Sequence, residues 1–435
     1  MDTKRSIIIL GAGFGGLRIA LLLGRKLKRL QLTDRYQITL IDRNDYHTYA
    51  PTLYEIATTS EKTANQCELK EIVTFPIRDI IKNLPIEFKK AEINSIDALT
   101  SDVHLTEAGL KHVLHFDYLI LALGAQTNFF NIPGLAEYSL PLKTFLDALH
   151  IREKVILLAN DREEKEINIV IGGGGSTGVE LAGELKTWLC GRESVLPNTC
   201  RATITIVDSN PTILSVFDRQ IIECVTKRLN KLGITITTNA RIQKVTEHEA
   251  ILENGTYVPF DLFFWTGGIK ASEVINNLSH VRKHASGMIE STGTMECILE
   301  NSKIADNNKI YGIGDAICTI NQKTGQIIPQ VARAALSRAT IASHNIIERI
   351  KYTEGLTTRP NIKTYIPAGE YPYVIPVGGK WAVAKLGPII ISGFFGWVLK
   401  GLVEINYLLS IMPKWKAFKL WIKGLRIFIQ NEQLG

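Results

Sequence analysis

Residues 7–16 read IIILGAGFGG, and this run determines the architecture that we expect for the chain. A short apolar strand leads into glycines spaced GxGxxG, and a helical pattern follows at 15–30. Gly11 allows a tight turn, Gly13 lets the backbone approach a pyrophosphate, and Gly16 lets the helix pack closely on the strand. The amide groups at the start of such a helix favour phosphate. The run therefore predicts a dinucleotide-binding unit.

An acidic residue completes this first unit. The next apolar run, 37–41, ends at Asp42, whose carboxylate can accept both hydroxyls of an adenosine ribose. No Gly-Lys-Ser/Thr follows the glycines, which excludes a Walker-type loop. A lone GxGxxG also fits an ordinary tight turn, but the order strand, turn, helix, strand and acid favours dinucleotide binding.

A second copy of the pattern lies about 160 residues later. Residues 169–178 read IVIGGGGSTG, with Gly173, Gly175 and Gly178 in the same spacing, and the strand that follows ends at Asp208. A carboxylate beside the ribose would repel a 2′-phosphate, so NADH is favoured over NADPH. A duplicated domain that has lost its ligand is the alternative interpretation.

The rest of the chain supports an α/β fold with two Rossmann-like domains. A hydrophobic fraction of 45% and 34 glycines in 435 residues exclude a disordered or collagenous chain. Short β-branched runs, typical of parallel strands, occur at 6–10, 37–41, 118–122, 167–171 and 203–207. Helical patterns follow at 15–30, 176–189 and 218–232. Two dinucleotide sites in one chain suit a flavin dinucleotide that receives hydride from a nicotinamide dinucleotide.

The number and spacing of the cysteines exclude several classes of protein. Six cysteines are too few for a disulfide scaffold, and the absence of CxxC excludes a thioredoxin-type dithiol or a zinc ribbon. We expect no metal site. Cys190 and Cys200 flank a predicted helix-to-strand connection, and we interpret them as free core cysteines rather than redox groups.

The C-terminal tail carries most of the net charge of +7. Residues 381–435 contain seven Lys or Arg, two Glu and four of the six tryptophans. Basic and indole side chains together favour an anionic membrane surface, with nucleic acid as the competing partner. Residues 416–430, KAFKLWIKGLRIFIQ, predict an amphipathic helix in the membrane interface, or one packed on the body or a second subunit. The uncharged run 386–399 has 14 residues, short of the roughly 20 that span a bilayer.

Taken together, these motifs resemble the flavoproteins with two dinucleotide-binding domains, and within them the type II NADH:quinone oxidoreductases. The resemblance runs through nearly the whole chain. Besides the first fingerprint, it is carried by 43–57 (RNDYHTYAPTLYEIA), 117–124 (DYLILALG) with 131–134 (NIPG), 173–184 (GGGSTGVELAGE), 264–271 (FWTGGIKA) and 310–315 (IYGIGD).

The resemblance implies a chemistry and a set of site residues. It implies that NADH passes hydride to FAD, which passes two electrons to a membrane quinone without proton pumping. Asp315 would hold the ribityl chain of FAD, and Gly267 would lie near the nicotinamide. The other cofactor-binding residues that it implies are Arg43, Tyr54, Gly124 and Ala332.

Three residues are candidates for catalysis. The resemblance places Glu180 facing the nicotinamide and flavin, although a carboxylate in the first turn of a helix is also common without a catalytic role. At 329–337 the chain reads PQVARAALS, where the family has AQxAxQ, so Arg333 and Ser337 occupy the positions of two glutamines beside the quinone. Arg333 adds a permanent charge there, unless it pairs with a neighbouring carboxylate.

The family order predicts a discontinuous FAD domain, 1–145 and 291–375, with the NADH domain inserted at 146–290 and a membrane-docking region at 376–435. The expected partners are NADH, a membrane quinone and the anionic cytoplasmic surface of the cell membrane, with no nucleic acid. The tail could also form a homodimer. The alternatives are a soluble NAD(P)H reductase of ferredoxin or rubredoxin type, and a flavin-binding redox sensor or interaction protein similar to apoptosis-inducing factor.

Overall fold

The computed structural model describes residues 4–161, 166–193, 202–300, 309–319, 330–367 and 372–431. Cys200 and Pro329 lie outside the described residues. The chain divides into two compact units, each assembled from three segments. Unit 1 contains Met1–His47, Phe75–Gln126 and Lys270–Tyr371, and unit 2 contains Thr48–Thr74, Thr127–Ile269 and Pro372–Gly435. The division into binding domains at 145, 290 and 375 stays a prediction.

Unit 1 is built on a five-stranded parallel sheet. Its strands, in spatial order, are Ile310–Gly312, Tyr118–Leu121, Arg5–Leu10, Tyr36–Asp42 and Ile86–Lys90. The central strand runs beside its neighbours in the registers Ile7 to Tyr118 and Ile7 to Ile38. Its last four residues are fully buried, as expected of a strand covered on both faces.

Unit 2 repeats this plan with a second five-stranded parallel sheet. The order is Leu140–Pro141, Leu262–Trp265, Ile167–Gly172, Ala202–Val207 and Thr235–Thr237. The five predicted strands are therefore confirmed, within two residues at each end. Both sheets place a glycine fingerprint at the carboxyl end of the central strand, where open α/β sheets bind ligands.

Smaller sheets complete the two units. In unit 1 they contain Glu92–Asp97, Asp102–Glu107 and Leu110–His115, and the parallel pair Ile289–Glu290 and Ile317–Cys318. In unit 2 they contain Ile242–Val245, Glu249–Leu252 and Tyr257–Pro259, and Tyr373–Pro376, Ala382–Leu386 and Ile389–Gly393. The remaining described strands are Tyr46–Thr48, Thr74–Pro76, Ala125–Thr127 and Ile269–Ala271.

The helices of the described residues are α1 (Phe14–Arg29), α2 (Leu53–Ala57), α3 (Gln66–Val73), α4 (Ile77–Ile81), α5 (Leu135–Tyr138), α6 (Phe145–Asp161), α7 (Ser176–Glu193), α8 (Arg219–Lys231), α9 (Glu273–Asn277), α10 (Ala332–Thr353), α11 (Phe394–Ile411) and α12 (Lys414–Asn431). Short 3-10 turns occupy Ala50–Thr52 and Gly314–Ala316. The three predicted helices are confirmed as α1, α7 and α8. The α/β class with two Rossmann-like sheets and C-terminal helices is confirmed as well.

The C-terminal region of unit 2 is a three-stranded sheet followed by two helices. The uncharged run 386–399 is divided between the strand Ile389–Gly393 and the start of α11, so it is not a single helix. Gly396 allows α11 to approach that sheet, because an added Cβ would lie 2.2 Å from the carbonyl oxygen of Ala382. Helix α11 has 18 residues and is long and apolar enough to cross a membrane by length and composition alone.

Candidate functional site

The first fingerprint has the close packing that its glycines predict. Gly11 has a φ of +98°, and an added Cβ would lie 2.4 Å from the carbonyl oxygen of Ala122. At Gly16 an added Cβ would lie 1.8 Å from the carbonyl oxygen of Gly11. At Gly13, just before α1, an added Cβ would meet no atom within 4 Å. Two glycines are thus required by the protein itself, while Gly13 leaves open space at a helix start for a phosphate.

The carboxylate of Asp42 is fixed against the same loop. Its Oδ2 accepts a hydrogen bond from the amide of Ala12 at 2.7 Å, and its Oδ1 accepts one from the amide of Asn44 at 2.8 Å. Burial raises the pKa of Asp42, and these two backbone donors oppose the rise. Each oxygen keeps a second lone pair, so the carboxylate can still accept ribose hydroxyls.

His47 supports the same loop, a role that its sequence context did not reveal. Its ring is buried, its Nδ1 lies 2.9 Å from the carbonyl oxygen of Ala12, and it meets Phe14 edge-to-face at 5.2 Å. Because a carbonyl only accepts, Nδ1 carries the hydrogen. Burial lowers the pKa of His47 to about 4, so the ring is neutral at physiological pH.

The start of α10 lies against the 3-10 turn that contains Asp315. The carbonyl oxygen of Asp315 accepts from Nε2 of Gln330 at 3.3 Å. The carbonyl oxygen of Gly314 accepts from Nη1 of the buried Arg338, also at 3.3 Å. Unit 1 therefore brings together Asp315 and the segment with Ala332, Arg333 and Ser337. Arg338, next to Ser337, was not predicted, and no sequence signal distinguished it.

Arg333 and Ser337 are one turn apart on α10. Arg333 is exposed, and it makes no ion pair with any residue that the structure describes, whereas Ser337 is half-buried. The alternative that Arg333 is neutralised by a neighbouring carboxylate thus has no support within the described ranges.

The second fingerprint reproduces the first in unit 2. Gly173 has a φ of +106°, and an added Cβ would lie 2.6 Å from the Cα of Gly267. At Gly178 it would lie 2.0 Å from the carbonyl oxygen of Gly173, whereas at Gly175 it would meet nothing within 4 Å. Thr266 donates its hydroxyl to the carbonyl oxygen of Gly173 at 3.0 Å. The structure thus places Thr266 and Gly267 against the predicted glycine turn.

Asp208 is anchored more fully than Asp42. Its Oδ2 accepts from the amide of Gly174 at 2.5 Å, and its Oδ1 accepts from both the amide and the side chain of Asn210, at 2.7 and 2.8 Å. Asn210, two residues after Asp208, was not predicted. The carboxylate is held at the loop, where it would reach a ribose.

Glu180 lies on α7, one turn after the second fingerprint. Its side chain is partly exposed, and burial raises its pKa well above the usual range of a carboxyl. A raised pKa favours the protonated form of a carboxyl, which is the form that can donate a proton. Glu184, one turn later, is buried.

The sequence profile of the pyridine nucleotide-disulphide oxidoreductases matches residues 5–339. The chain belongs to that family. It is 30% identical over 400 residues to the demethylphylloquinone reductase NdbB of Synechocystis, covering 90% of this chain and 89% of that protein. It is 25% identical over 389 residues to a type II NADH:quinone oxidoreductase of Staphylococcus saprophyticus, covering 85% and 86%. The resemblance to this group of oxidoreductases is confirmed.

A solved structure supports the fold assignment in the family. NDH2 from Plasmodium falciparum, in complex with NADH, superposes with a TM-score of 0.80 at 19% identity and covers 100% of both chains. A sulfide:quinone oxidoreductase from Aquifex aeolicus superposes with a TM-score of 0.75 at 19% identity, covering 96% of this chain and 92% of that one. At these identities the likeness shows the shared fold.

The cysteines differ in one point from the sequence-based interpretation. Cys190 is disulfide-bonded, so the prediction that it is a free core cysteine is wrong. Of the free cysteines, Cys67 is exposed and Cys224 half-buried, whereas Cys297 and Cys318 are buried. Burial raises the pKa of both buried thiols, which opposes formation of a reactive thiolate.

Three other predicted cofactor residues have distinct surroundings. Gly124 follows the strand Tyr118–Leu121 with a φ of +66° and open space around its Cα. Arg43 is exposed, and its charge opposes part of the rise that burial causes in the pKa of Asp42. Tyr54, in α2 of unit 2, is buried at 2% exposure. The roles of these residues stay predictions.

The segment around Tyr54 makes contacts that the sequence did not predict. Glu55 is buried and forms an ion pair with Lys400 of α11. Tyr49 stacks on Tyr407, also of α11, with ring centres 5.3 Å apart. Because these partners lie about 350 residues apart, no local pattern could have connected them.

Helix α12 has features of two of the arrangements that its sequence allowed: one face packs on the body of unit 2, and another exposes apolar side chains. It packs on α11 and α3 through an inner face with Ala417, Ile427 and Phe428, all buried. The rest of α12 and the outer side of α11 expose large apolar side chains. These are Phe394, Phe395, Val398, Leu402, Val403, Leu409, Trp415, Phe418 and Ile429, which we call the outer apolar face. An apolar face of this size, edged by basic residues, fits membrane anchoring.

Proposed function

We propose that this chain is a peripheral membrane flavoenzyme that oxidises NADH and reduces a membrane quinone without pumping protons. The observation that carries the proposal is the pair of complete fingerprints, each with a carboxylate bonded to its glycine loop. The names of the relatives in two bacterial genera, which describe quinone reductases, support the same reaction. When bound, FAD supplies the two-electron chemistry between the nicotinamide and the quinone.

The residues of the first fingerprint suit FAD. The open backbone at Gly13 fits a pyrophosphate, and the fixed carboxylate of Asp42 fits the adenosine ribose. We propose further FAD contacts by Arg43, Tyr54, Gly124, Asp315 and Ala332. The corresponding domain is proposed to comprise 1–145 and 291–375.

The second fingerprint suits NADH. Gly173 packs on Gly267, and Gly178 packs on Gly173, which leaves Gly175 as the point of approach for the pyrophosphate. The anchored carboxylate of Asp208 favours a free ribose hydroxyl and repels a 2′-phosphate. We propose 146–290 as the NADH domain.

Three residues are proposed to act on the acceptor. Burial raises the pKa of the Glu180 carboxyl, which favours its protonated form, and we propose that Glu180 gives a proton to the quinone as it is reduced. Arg333 presents a permanent positive charge, which stabilises negative charge on a quinone oxygen. Ser337, one turn further along α10, can donate a hydrogen bond from its hydroxyl.

The acceptor is proposed to reach the enzyme from the lipid. The outer apolar face and the basic side chains of 376–435 suit docking on the anionic, cytoplasmic surface of the cell membrane. A soluble reductase of ferredoxin or rubredoxin type does not require an apolar surface for membrane docking. Burial raises the pKa of the Cys297 and Cys318 thiols, which disfavours cysteine-based sulfide chemistry at these two residues.

Purified protein mixed with NADH and a short-chain quinone tests the proposal. NADH should bleach the bound flavin, and the quinone should restore its absorbance with one NADH consumed per quinone. Bleaching that no quinone reverses would overturn the acceptor assignment and leave the donor assignment intact. Protein purified without any flavin would overturn the cofactor assignment itself.

A further inference from the structure

The ammonium group of Lys400 lies inside unit 2, although the residue belongs to the apolar C-terminal helix α11. Its side chain is 16% exposed, and its partner Glu55 is 2% exposed. Oε1 of Glu55 bonds to Nζ of Lys400, and Oε2 has no hydrogen-bond partner among the described residues. The carboxylate of Glu55 is therefore neutralised through Lys400.

Two aromatic rings flank the ammonium group. Nζ of Lys400 lies 5.4 Å from the ring centre of Tyr54 and 5.8 Å from that of Phe428 on α12. A cation at these distances is attracted to the ring faces, and the attraction is larger when the group is desolvated. Lys400 thus contacts α2 through both Tyr54 and Glu55, and it contacts α12 through Phe428.

A second buried cation also contacts this segment. Arg152 of α6 donates through Nε to the carbonyl oxygen of Thr59 and through Nη2 to that of Ala64, at 2.5 and 2.9 Å. Thr59 in turn donates its hydroxyl to the carbonyl oxygen of Glu55 at 2.6 Å. Arg152 and Lys400 therefore both fix this segment.

We propose that Lys400 and Glu55 form a positioning pair that sets the orientation of Tyr54 for the reaction with the electron acceptor. The pair joins α11, a membrane-docking helix, to the turn that contains a proposed FAD-site residue. Attachment of the C-terminal helices and the shape of the acceptor site are thereby linked through one buried salt bridge. This inference rests on the proposed quinone reduction.

The energetics of a buried pair explain why its loss should move Tyr54. Removing one partner leaves the other charge buried without compensation, which costs far more than the pair itself contributes. Without the ammonium group, the carboxylate of Glu55 must reach water or take up a proton. Either change releases α2, because Glu55 and Tyr54 are adjacent in one short helix.

Two substitutions and two controls test the pair in the full-length protein. K400M keeps the length of the side chain and removes its charge, and E55Q keeps the shape of the carboxyl group. K400R retains the charge and should behave like the original protein. K231M, at an exposed lysine at the end of α8, makes the same change in net charge elsewhere in unit 2.

Amide hydrogen exchange of residues 53–59 measures the positioning directly. In K400M and E55Q we expect exchange about tenfold faster or more, with K231M and K400R close to the original protein. The KM for a short-chain quinone should rise about tenfold to a hundredfold, the range expected of a misplaced site. The rate of flavin bleaching by NADH and the binding to anionic vesicles should stay within twofold.

The outcomes separate a failure of the pair from a failure of the proposed function. Unchanged exchange together with unchanged quinone kinetics in K400M and E55Q would overturn the positioning pair. Loss of vesicle binding in K400M would overturn it as well, because Lys400 would then act on the membrane. If the original protein does not transfer electrons to any quinone, the proposed function fails while the exchange experiment still decides the pair. If K400M does not fold, E55Q, checked by its normal flavin bleaching, decides both readouts.

Discussion

At the scale of single residues, the two strand-end acids show how a predicted residue acquires its function. Asp42 and Asp208 lie at the ends of their strands, as the motif predicts, but the motif does not show which groups hold their carboxylates. In both units a backbone amide of the glycine loop donates to the carboxylate, from Ala12 in unit 1 and from Gly174 in unit 2. Each loop thus orders its own carboxylate before a ligand arrives, which lowers the entropy cost of binding.

Asp208 is expected to set the preference for NADH. D208N removes the negative charge but keeps an oxygen that can accept from Gly174. The ratio of kcat/KM for NADH over NADPH should fall roughly tenfold or more, the worth of a hydrogen bond to a charged group. Steady-state kinetics with both nucleotides measure this ratio. D42N is the matched control, since it should weaken flavin retention and leave the ratio unchanged; an unaltered ratio in D208N would contradict the assignment.

His47 is expected to make the first fingerprint sensitive to acid. Its pKa is lowered by burial from 6.5 to about 4, so the unfolded chain binds a proton that the folded site does not. The stability that depends on the neutral ring is complete above pH 6.5 and is lost as the pH falls toward 4. The difference between these pKa values amounts to about 3 kcal/mol.

Thermal release of flavin, followed by its fluorescence between pH 7.5 and 5, measures this effect. The midpoint should fall steeply with acid in the original protein and in H104Q, which replaces an exposed histidine of unit 1. In H47Q the midpoint should be lower at pH 7.5 and should depend less on pH. Equal slopes in H47Q and the original protein would show that another group controls the response.

At the scale of elements, the two βα units separate glycines that the protein needs from glycines that a ligand needs. An added Cβ at Gly16 or Gly178 would overlap a carbonyl oxygen, at 1.8 and 2.0 Å, whereas Gly13 and Gly175 have open space. The sequence motif treats all three glycines of a fingerprint alike. Only the packed turn distinguishes their roles.

This difference yields a paired prediction. G13A should fold normally and lose FAD, whereas G175A should fold normally, retain FAD and show a higher KM for NADH. Flavin content after purification and NADH kinetics measure the two effects. G16A and G178A should instead lower the unfolding temperature, because a backbone atom must move to admit the methyl group. Normal flavin content and normal kinetics in G13A would show that the first loop does not contact FAD.

At the scale of the whole molecule, the outer apolar face is the feature that a membrane would cover. Removing the chain after residue 380 would test docking, but it would also expose buried partners of α11 and α12, such as Glu55 and Tyr49. Substitution of the exposed residues is the cleaner experiment. F395S, W415S and F418S combined replace side chains that are 72%, 71% and 54% exposed.

The triple variant should bind anionic vesicles at least tenfold more weakly, since each large apolar side chain contributes about 1.5–3 kcal/mol when buried. Vesicle sedimentation at two salt concentrations measures the loss, and flavin bleaching by NADH should be unaffected. The combination of L146S, L157S and V216S removes apolar residues that are equally exposed elsewhere in unit 2 and should bind normally. Normal binding of F395S/W415S/F418S would place the docking surface elsewhere.

The sequence by itself determined the two α/β sheets, their glycine turns and both strand-end acids, because these are local patterns. Strand, turn, helix and acid follow one another within about 35 residues, and each step has its own periodicity or required backbone angle. The hydrogen bond between His47 and Ala12 could not be predicted from the sequence, since a bond to a loop carbonyl has no signature in composition or periodicity. The tertiary structure alone decided that Lys400 neutralises Glu55, that Arg152 fixes the same turn, and which residues of α11 and α12 stay outside. Those features depend on burial and on contacts between distant segments, and a charge in the sequence does not reveal whether water or a buried partner will compensate it.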